Sequence, residues 1–309
     1  MDTNYATLYA SLQPALAQLE TRRKELRQKG IRTGLILASI FFILGCIFSL
    51  TTQSGPAGFA VSLAIAIIVL LYSVNSKSGE LSAYYKKEII AVLIKQLCEE
   101  ASYSPESGIS ESTFMNCGLF STTPDRYHCE DLITGKIGKT TFTCSEIVAE
   151  EKRVTTDSKG RRQEHWIDIF RGFLFMADFQ KDFSGHTVVF RNSWLKLWSG
   201  KQRVKLENPD FEKDFDTYST DQVEARYILT PNMMEKILEL DRKFPGKITV
   251  SFYNSQVIIA IPDSKDHFET SIWQSQLRND NIKQEFITLS TLFGIVSDLN
   301  LNIRIWTKE

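Results

Sequence analysis

The side chains that could do chemistry are scattered. Four histidines, His128, His165, His186 and His267, stand far apart in a chain of 309 residues. General acid–base catalysis needs titratable groups gathered in one pocket, so a histidine pair exists only if folding collects one. Ser145, His165 and Asp168 can be written as nucleophile, base and acid, but no nucleophile elbow surrounds the serine. Asp178 and Asp182 lie in "ADFQKDF", and "DFDTYSTDQVEAR" adds Asp214, Asp216, Asp221, Glu224 and Arg226. Two such carboxylates together would bind a metal or share acid–base work. Acids in loops and at strand ends are otherwise solvated, or paired with a cation such as Arg226.

Cys117, His128, Cys129 and Cys144 offer zinc-binding atoms, yet their spacing matches no finger or ribbon and there is no C-x-x-C. Buried or half-buried free thiols are expected instead. "GKIGKT" at 135–140 suggests a phosphate loop, but Ile133 stands where that loop needs glycine, and a strand follows rather than a helix. It reads as a hairpin turn. No catalytic residue, metal site or cofactor is assigned.

A basic cluster remains. Lys152, Arg153, Lys159, Arg161 and Arg162 surround a polar turn at Asp157–Gly160. Beside an anionic lipid leaflet each nearby cation contributes about 1 kcal/mol, so these five are the candidate lipid or partner contact. Elsewhere such a tip merely keeps a hairpin soluble. The formal net charge is −1, and without a general basic excess no nucleic-acid role is expected.

The elements that must position these residues begin with an uncharged stretch. From Thr33 to Ser76 there is no Asp, Glu, Lys, Arg or His. The apolar centres, Ile36–Leu50 and Phe59–Tyr72, flank a knot of turn formers from Thr51 to Pro56. A span needs roughly 20 apolar residues, so this is a transmembrane helical hairpin. Arg22, Arg23, Lys24, Arg27, Lys29 and Arg32 precede it; Lys77, Lys86 and Lys87 follow it. Positive flanks stay inside, which places both termini in the cytoplasm.

Before the spans, Tyr5 to Lys29 reads as a helix, with Tyr5, Leu12, Leu19 and Leu26 at heptad spacing beside Leu8 and Leu16. That stripe suits a short coiled coil, packing on the chain's own domain, or the membrane surface. After the spans a helical stalk carries Leu81, Tyr85, Ile89, Val92, Leu93 and Leu97 near one face.

From Ile109 strands and helices segregate, which indicates an α+β domain. Ser110 caps a short helix ending at Gly118. Strand-rich runs cover 131–154, 165–179, 186–190 and 201–208, with a further strand at Ala225–Thr230. Thr230 and Pro231 open a helix buried through Met233, Met234, Ile237, Leu238 and Leu240 and ended by Gly246. A hairpin turns at Asn254-Ser255, pairing Phe252 with Val257, Val250 with Ile259, and Ile248 with Ile261. A long helix follows with a stripe of Ile282, Phe286, Leu289, Phe293 and Val296, and "LNIRIW" closes as a strand. The organisation is an N-terminal cytosolic helix (1–32), the hairpin (33–76), the stalk (77–103) and a cytosolic domain of antiparallel sheet plus helices (104–309).

The blocks "YSPESGISESTF", "PDRYHCEDLITGKIGKTTFTCSEIVAEEK", "FRGFLFMADFQKDFSGHTVV", "DQVEARYILTPNMMEKILEL" and "LNLNIRIW" resemble the bacterial domain-of-unknown-function family 3137, from Tyr103 to Trp306. The resemblance implies a bacterial, membrane-anchored protein with a cytosolic domain, and it carries no activity or catalytic residue. The resulting expectation is a multi-pass inner-membrane protein whose cytosolic domain binds a protein partner, a lipid headgroup or a small ligand. The alternative is a membrane-tethered hydrolase with a carboxylate/histidine site. Copies could associate as a homo-oligomer through the N-terminal helix or the spans. A transporter or channel is disfavoured because two uncharged spans offer no polar path unless several copies assemble.

Overall fold

A single helix of 50 residues, α1 (Asp2–Thr51), opens the chain and carries Pro14 inside it without ending there. At 1.5 Å per residue it is about 75 Å long, so the N-terminal helix and the first apolar span are one element. The structure, a computed structural model, describes residues 2–52, 55–156, 160–179, 181–191, 202–244, 247–275, 277 and 279–301. Its contacts fall into two units: 1–93 with 268–287, and 94–267 with 288–309.

In the helical unit, Tyr5, Leu8, Leu12, Leu16, Leu19 and Leu26 are all buried. Their stripe is covered by the chain itself: the Tyr5 ring lies 5.2 Å from that of Phe286, and Arg23 donates to the Ile272 carbonyl at 2.9 Å. The coiled-coil expectation therefore gives way to packing within the chain. The second apolar helix, α2 (Gly55–Asn75), runs against α1 along a seam of small residues. A Cβ on Gly30 would stand 2.9 Å from Val74 Cα, one on Gly34 would meet Leu70, and one on Gly45 would fall on Ser62. Ala38 and Ala66 are buried too, and the Thr33 and Ser73 hydroxyls meet at 3.1 Å. Small residues let helix backbones approach closely. The outer faces are different. Leu35, Ile36, Ile43, Phe48, Val61, Ile68 and Tyr72 are among many large apolar side chains left exposed. Both helices are long and apolar enough to cross a membrane.

Next come α3 (Ser78–Tyr85), a π turn (Lys86–Ile90) and α4 (Ala91–Leu97). Leu81, Tyr85, Ile89 and Leu93 are buried as the spacing predicts, whereas Val92 is exposed and Leu97 only half-buried. The wider π turn sets the buried face back, bringing Ile90 and Ile94 inward instead.

The second unit holds a nine-stranded sheet in the order β1-β2-β3-β4-β9-β8-β5-β7-β6, with every pairing antiparallel. The strands are β1 (Ser102–Ser104), β2 (Arg126–Ile137), β3 (Thr140–Thr156), β4 (Arg162–Asp178), β5 (Thr187–Arg191), β6 (Gln202–Val204), β7 (Phe215–Ser219), β8 (Thr249–Tyr253) and β9 (Gln256–Pro262). Helices α5 (Glu111–Asn116), α6 (Pro209–Asp214), α7 (Gln222–Ile228) and α8 (Pro231–Lys243) belong to it, and α9 (Asn279–Asp298) ends in it. One core joins Ile109, Phe114 and Leu119 to Ile147, Leu174, Ile258 and Ala260. Strand alternation turns Phe175 the other way, where it stacks on Phe142, which in turn touches Phe293.

Several expectations hold here. Gly138 and Lys139 form the two-residue β2–β3 turn, Gly138 with φ +62°, so "GKIGKT" is a hairpin tip. Asn254 and Ser255 both have positive φ, the requirement of the tight hairpin turn. Phe252 pairs with Val257 and Val250 with Ile259; Ile248 lies beyond the ladder, and Ile261 pairs with Phe173 on β4. Ser110 and Thr230 accept from Thr113 N and Met233 N as helix caps, although Met233 itself is only half-buried.

The expected strand at Ala225–Thr230 is instead α7. Asp221 accepts from Val223 N and Glu224 N, and this cap outweighs the strand preference of Tyr227 and Ile228. Asn208 likewise caps the unforeseen α6, leaving only Gln202–Val204 as strand. Gly246 and nearly all of the expected last strand, from Asn302 on, lie outside the described residues.

Candidate functional site

Strand register builds one polar cavity on the sheet. Glu130 of β2 lies opposite Glu146 of β3, which lies opposite Phe173 of β4. The next row is His128, Val148 and Arg171. Five of these six, all but Phe173, line a cavity of about 310 Å³ together with Asp266. A bulge between Glu130 and Ile133 ends the row; there buried Asp131 takes φ +58° and bonds the Tyr103 hydroxyl.

Glu146 forms the floor at 5% exposure, and its Oε2 accepts from His267 N at 3.3 Å. Burial pushes its carboxyl up to about 8, against the pull of His267 and with a further push from Asp266. The His267 ring is buried beside Phe173, and its Nε2 meets Asp263 Oδ2 at 3.0 Å. Burial works against the Asp263 charge, yet the Lys265 backbone N–H and His267 hold that carboxyl below its usual range. On the walls, His128 approaches Glu130 at 3.4 Å and Arg171 grips Asp168 at 3.1 Å. A carboxyl that is neutral near pH 7, inside a polar cavity, is a functional-site feature.

The second feature is an arm. β3 and β4 stay paired out to Thr156 and Arg162, whereas β2 leaves at Glu150 and β9 at Gly172. Beyond those points a two-stranded ribbon continues alone, exposing Val154, Trp166 and Ile167. Of the basic candidates, Lys152 pairs with Glu164 at 2.8 Å and Arg153 with Glu151 at 3.2 Å. Arg161 and Arg162 are exposed at the ribbon's end; Lys159 lies outside the described residues. Arg126 stacks on Trp166 at 3.8 Å.

The remaining candidates do not converge on one site. Ser145 is buried, accepting from Ile109 N, and His165 faces Arg153, eight positions further along β3 and therefore about 26 Å away. The Ser145–His165–Asp168 set does not assemble. Asp214 and Asp216 pair with Arg191 and Arg203, at 3.2 and 2.6 Å, while Arg226 bonds carbonyls and Gln222. Glu224 binds the backbone N–H groups of Ser184 and Gly185. Asp182 is exposed and Asp178 half-buried at the end of β4.

His186 Nε2 meets Ser251 Oγ at 2.9 Å, but that hydroxyl donates to the Cys117 carbonyl, so the serine is not activated. None of the five cysteines is joined in a disulfide, and burial pushes the Cys144 thiol far up. Among the described residues no three His, Cys, Asp or Glu side chains could hold a metal. Sequence reasoning missed Glu146. Its only signal was a glutamate on a strand next to Ile147, where the pattern carries no mark of burial on both faces.

A family described as "Protein of unknown function (DUF3137)" matches residues 168–301, the family that the sequence blocks resemble. No curated protein matches the chain. Among solved structures, the chain is similar to the crystal structure of the mycobacterial trehalose monomycolate transport factor A. Identity is 11% and the TM-score 0.35, over 67% of this chain and 95% of that one. That likeness is too low to transfer anything.

Proposed function

We propose that the helix pair crosses the inner membrane of a bacterium with both termini cytoplasmic, and that the sheet unit is a cytosolic binding module. Its ligand would be a protein partner, an anionic lipid headgroup or a small molecule. One observation carries this reading: large apolar side chains from Leu35 to Tyr72 face outward around the α1–α2 pair, with no charge among them. Leaving each in water forgoes roughly 1.5–3 kcal/mol of burial, and lipid removes that cost. The cations before and after the pair favour a cytoplasmic location for both ends.

The divisions 1–32, 33–76, 77–103 and 104–309 go with this reading. The arm's Arg161 and Arg162, with Lys152, Arg153 and Lys159, are the proposed headgroup or partner contact. Self-association would use the outer faces of the spans, because the leucine stripe of α1 is already buried.

The test is site-specific labelling in a cysteine-free version. Thr52→Cys should react with an impermeant thiol reagent in intact cells, and Lys308→Cys should not. Labelling at position 308 from outside would overturn the topology. A tethered hydrolase is the second reading, favoured by the Glu146 carboxyl, which burial raises to about 8, in a cavity that His128 also lines.

A further inference from the structure

We infer that the helical unit binds an anionic phospholipid through a collar of cations around Arg27 and Trp273, at the end of the α1–α2 pair. The inference rests on the part of the proposed function that puts this pair in a bilayer, and not on which side the termini face.

Ion pairing divides the cations that flank the apolar helices. Farther from the uncharged stretch, Arg22 bonds Glu80 at 3.0 Å, Arg23 bonds Glu20 at 2.7 Å and Lys86 bonds Glu269 at 2.8 Å. Nearest to it, Arg27, Lys29, Arg32 and Lys77 make no ion pair and no side-chain hydrogen bond among the described residues. These four lie at one level. Gly30 packs on the Val74 backbone, and each of the four stands within about one helical turn of that contact along the chain.

The second, independent observation is an aromatic side chain from far along the sequence. Arg23 donates to the Ile272 carbonyl at 2.9 Å, which sets the next residue, Trp273, beside α1. The Trp273 indole N–H donates to Asn75 Oδ1 at 2.8 Å, and the Arg27 guanidinium lies 5.3 Å from the ring centre. The ring is still 43% exposed, and Arg27 Nε is buried with no hydrogen-bond partner. A guanidinium held by stacking, with no carboxylate of the chain on it, is the group that takes a phosphate. A tryptophan with its N–H satisfied and its ring half open is the side chain of a membrane–water interface.

Both halves of a phospholipid are matched. The collar suits the phosphate, and exposed Leu35, Leu71 and Tyr72 continue from it as a surface for acyl chains. A choline or ethanolamine head brings its own cation to the collar and fits less well. A free phosphate leaves the apolar surface uncovered.

The full chain in neutral detergent micelles would be examined by native mass spectrometry with phosphatidylglycerol and with phosphatidylcholine of the same acyl chains. Millimolar inorganic phosphate serves as competitor. Phosphatidylglycerol should be retained more tightly than phosphatidylcholine, and phosphate should not displace it. Arg27→Gln should weaken that retention roughly fivefold, and Trp273→Ala should weaken it as well. Arg22→Gln removes the same charge where Glu80 already pairs it, and should leave retention unchanged. Should Arg27→Gln lower the melting temperature, Lys77→Gln breaks no ion pair and supplies the same readout. Equal retention of the two lipids, displacement by phosphate, an equal loss in Arg22→Gln, or unchanged retention in both Arg27→Gln and Lys77→Gln would overturn the inference. Retention in micelles does not depend on which side the termini face, so the site and the labelled topology can fail separately.

Discussion

Glu130 and Glu146 are direct cross-strand partners on β2 and β3, two carboxyls on one face of the sheet, one of them buried. Their environments separate them. Glu146 is the group that burial keeps protonated near neutrality.

That separation predicts a pH dependence of stability. The Glu146 carboxyl is raised in the folded state, so its contribution is fully present below about pH 4.5 and is lost as pH rises to about 8. A shift of that size corresponds to about 3–5 kcal/mol. Unfolding of wild type and Glu146→Gln would be compared across this range. The wild type should lose stability relative to the variant as pH rises; parallel curves would rule out a buried, protonated Glu146.

The α1–α2 seam predicts a packing defect. Gly30→Leu puts a side chain against the Val74 and Ser73 backbone, where only the helices can move apart. Overpacking of this kind costs about 1–3 kcal/mol. In a cysteine-free version, Thr33→Cys with Ser73→Cys should cross-link readily, since the native hydroxyls meet at 3.1 Å. Adding Gly30→Leu should slow that cross-link severalfold. An unchanged rate would mean that the seam is not close-packed.

The arm predicts salt-sensitive lipid contact. A fluorophore on Val154→Cys, in the full chain in anionic nanodiscs, should be quenched by lipid-borne quenchers at low salt. The quenching should fade at about 0.5 M salt and in an Arg161→Glu, Arg162→Glu variant. Absence of quenching at low salt would remove the headgroup from the proposed ligands and leave a protein partner for the arm.

Asp221 separates capping from catalysis. Its carboxylate accepts from Val223 N and Glu224 N, so Asp221→Ala should cost about 1 kcal/mol. Asp221→Asn keeps an acceptor oxygen and should restore both melting temperature and complementation of a deletion strain. A folded Asn variant that still fails to complement would favour the hydrolase reading.

Elements with a long local signal were legible. The stripe from Ile282 to Val296, the caps at Ser110 and Thr230, and the hairpin at Asn254-Ser255 all lie within a few residues of the atoms that satisfy them. Short elements were not. At Ala225–Ile228 the residue types favour a strand, and a single cap four positions upstream reverses the outcome. The basic cluster was visible as charge, but the pairing of Lys152 with Glu164 depends on the β3–β4 ladder.

The sequence alone determined the uncharged helix pair, its cationic flanks and the α+β segregation, because those are properties of contiguous residues. Only the tertiary structure decided that the leucine stripe of α1 is covered by residues far along the chain. It alone placed Glu146 in one cavity with Asp266 and His128. Strand register and loop closure bring residues more than a hundred positions apart into one cavity. No local pattern encodes which carboxyl such pairing will bury.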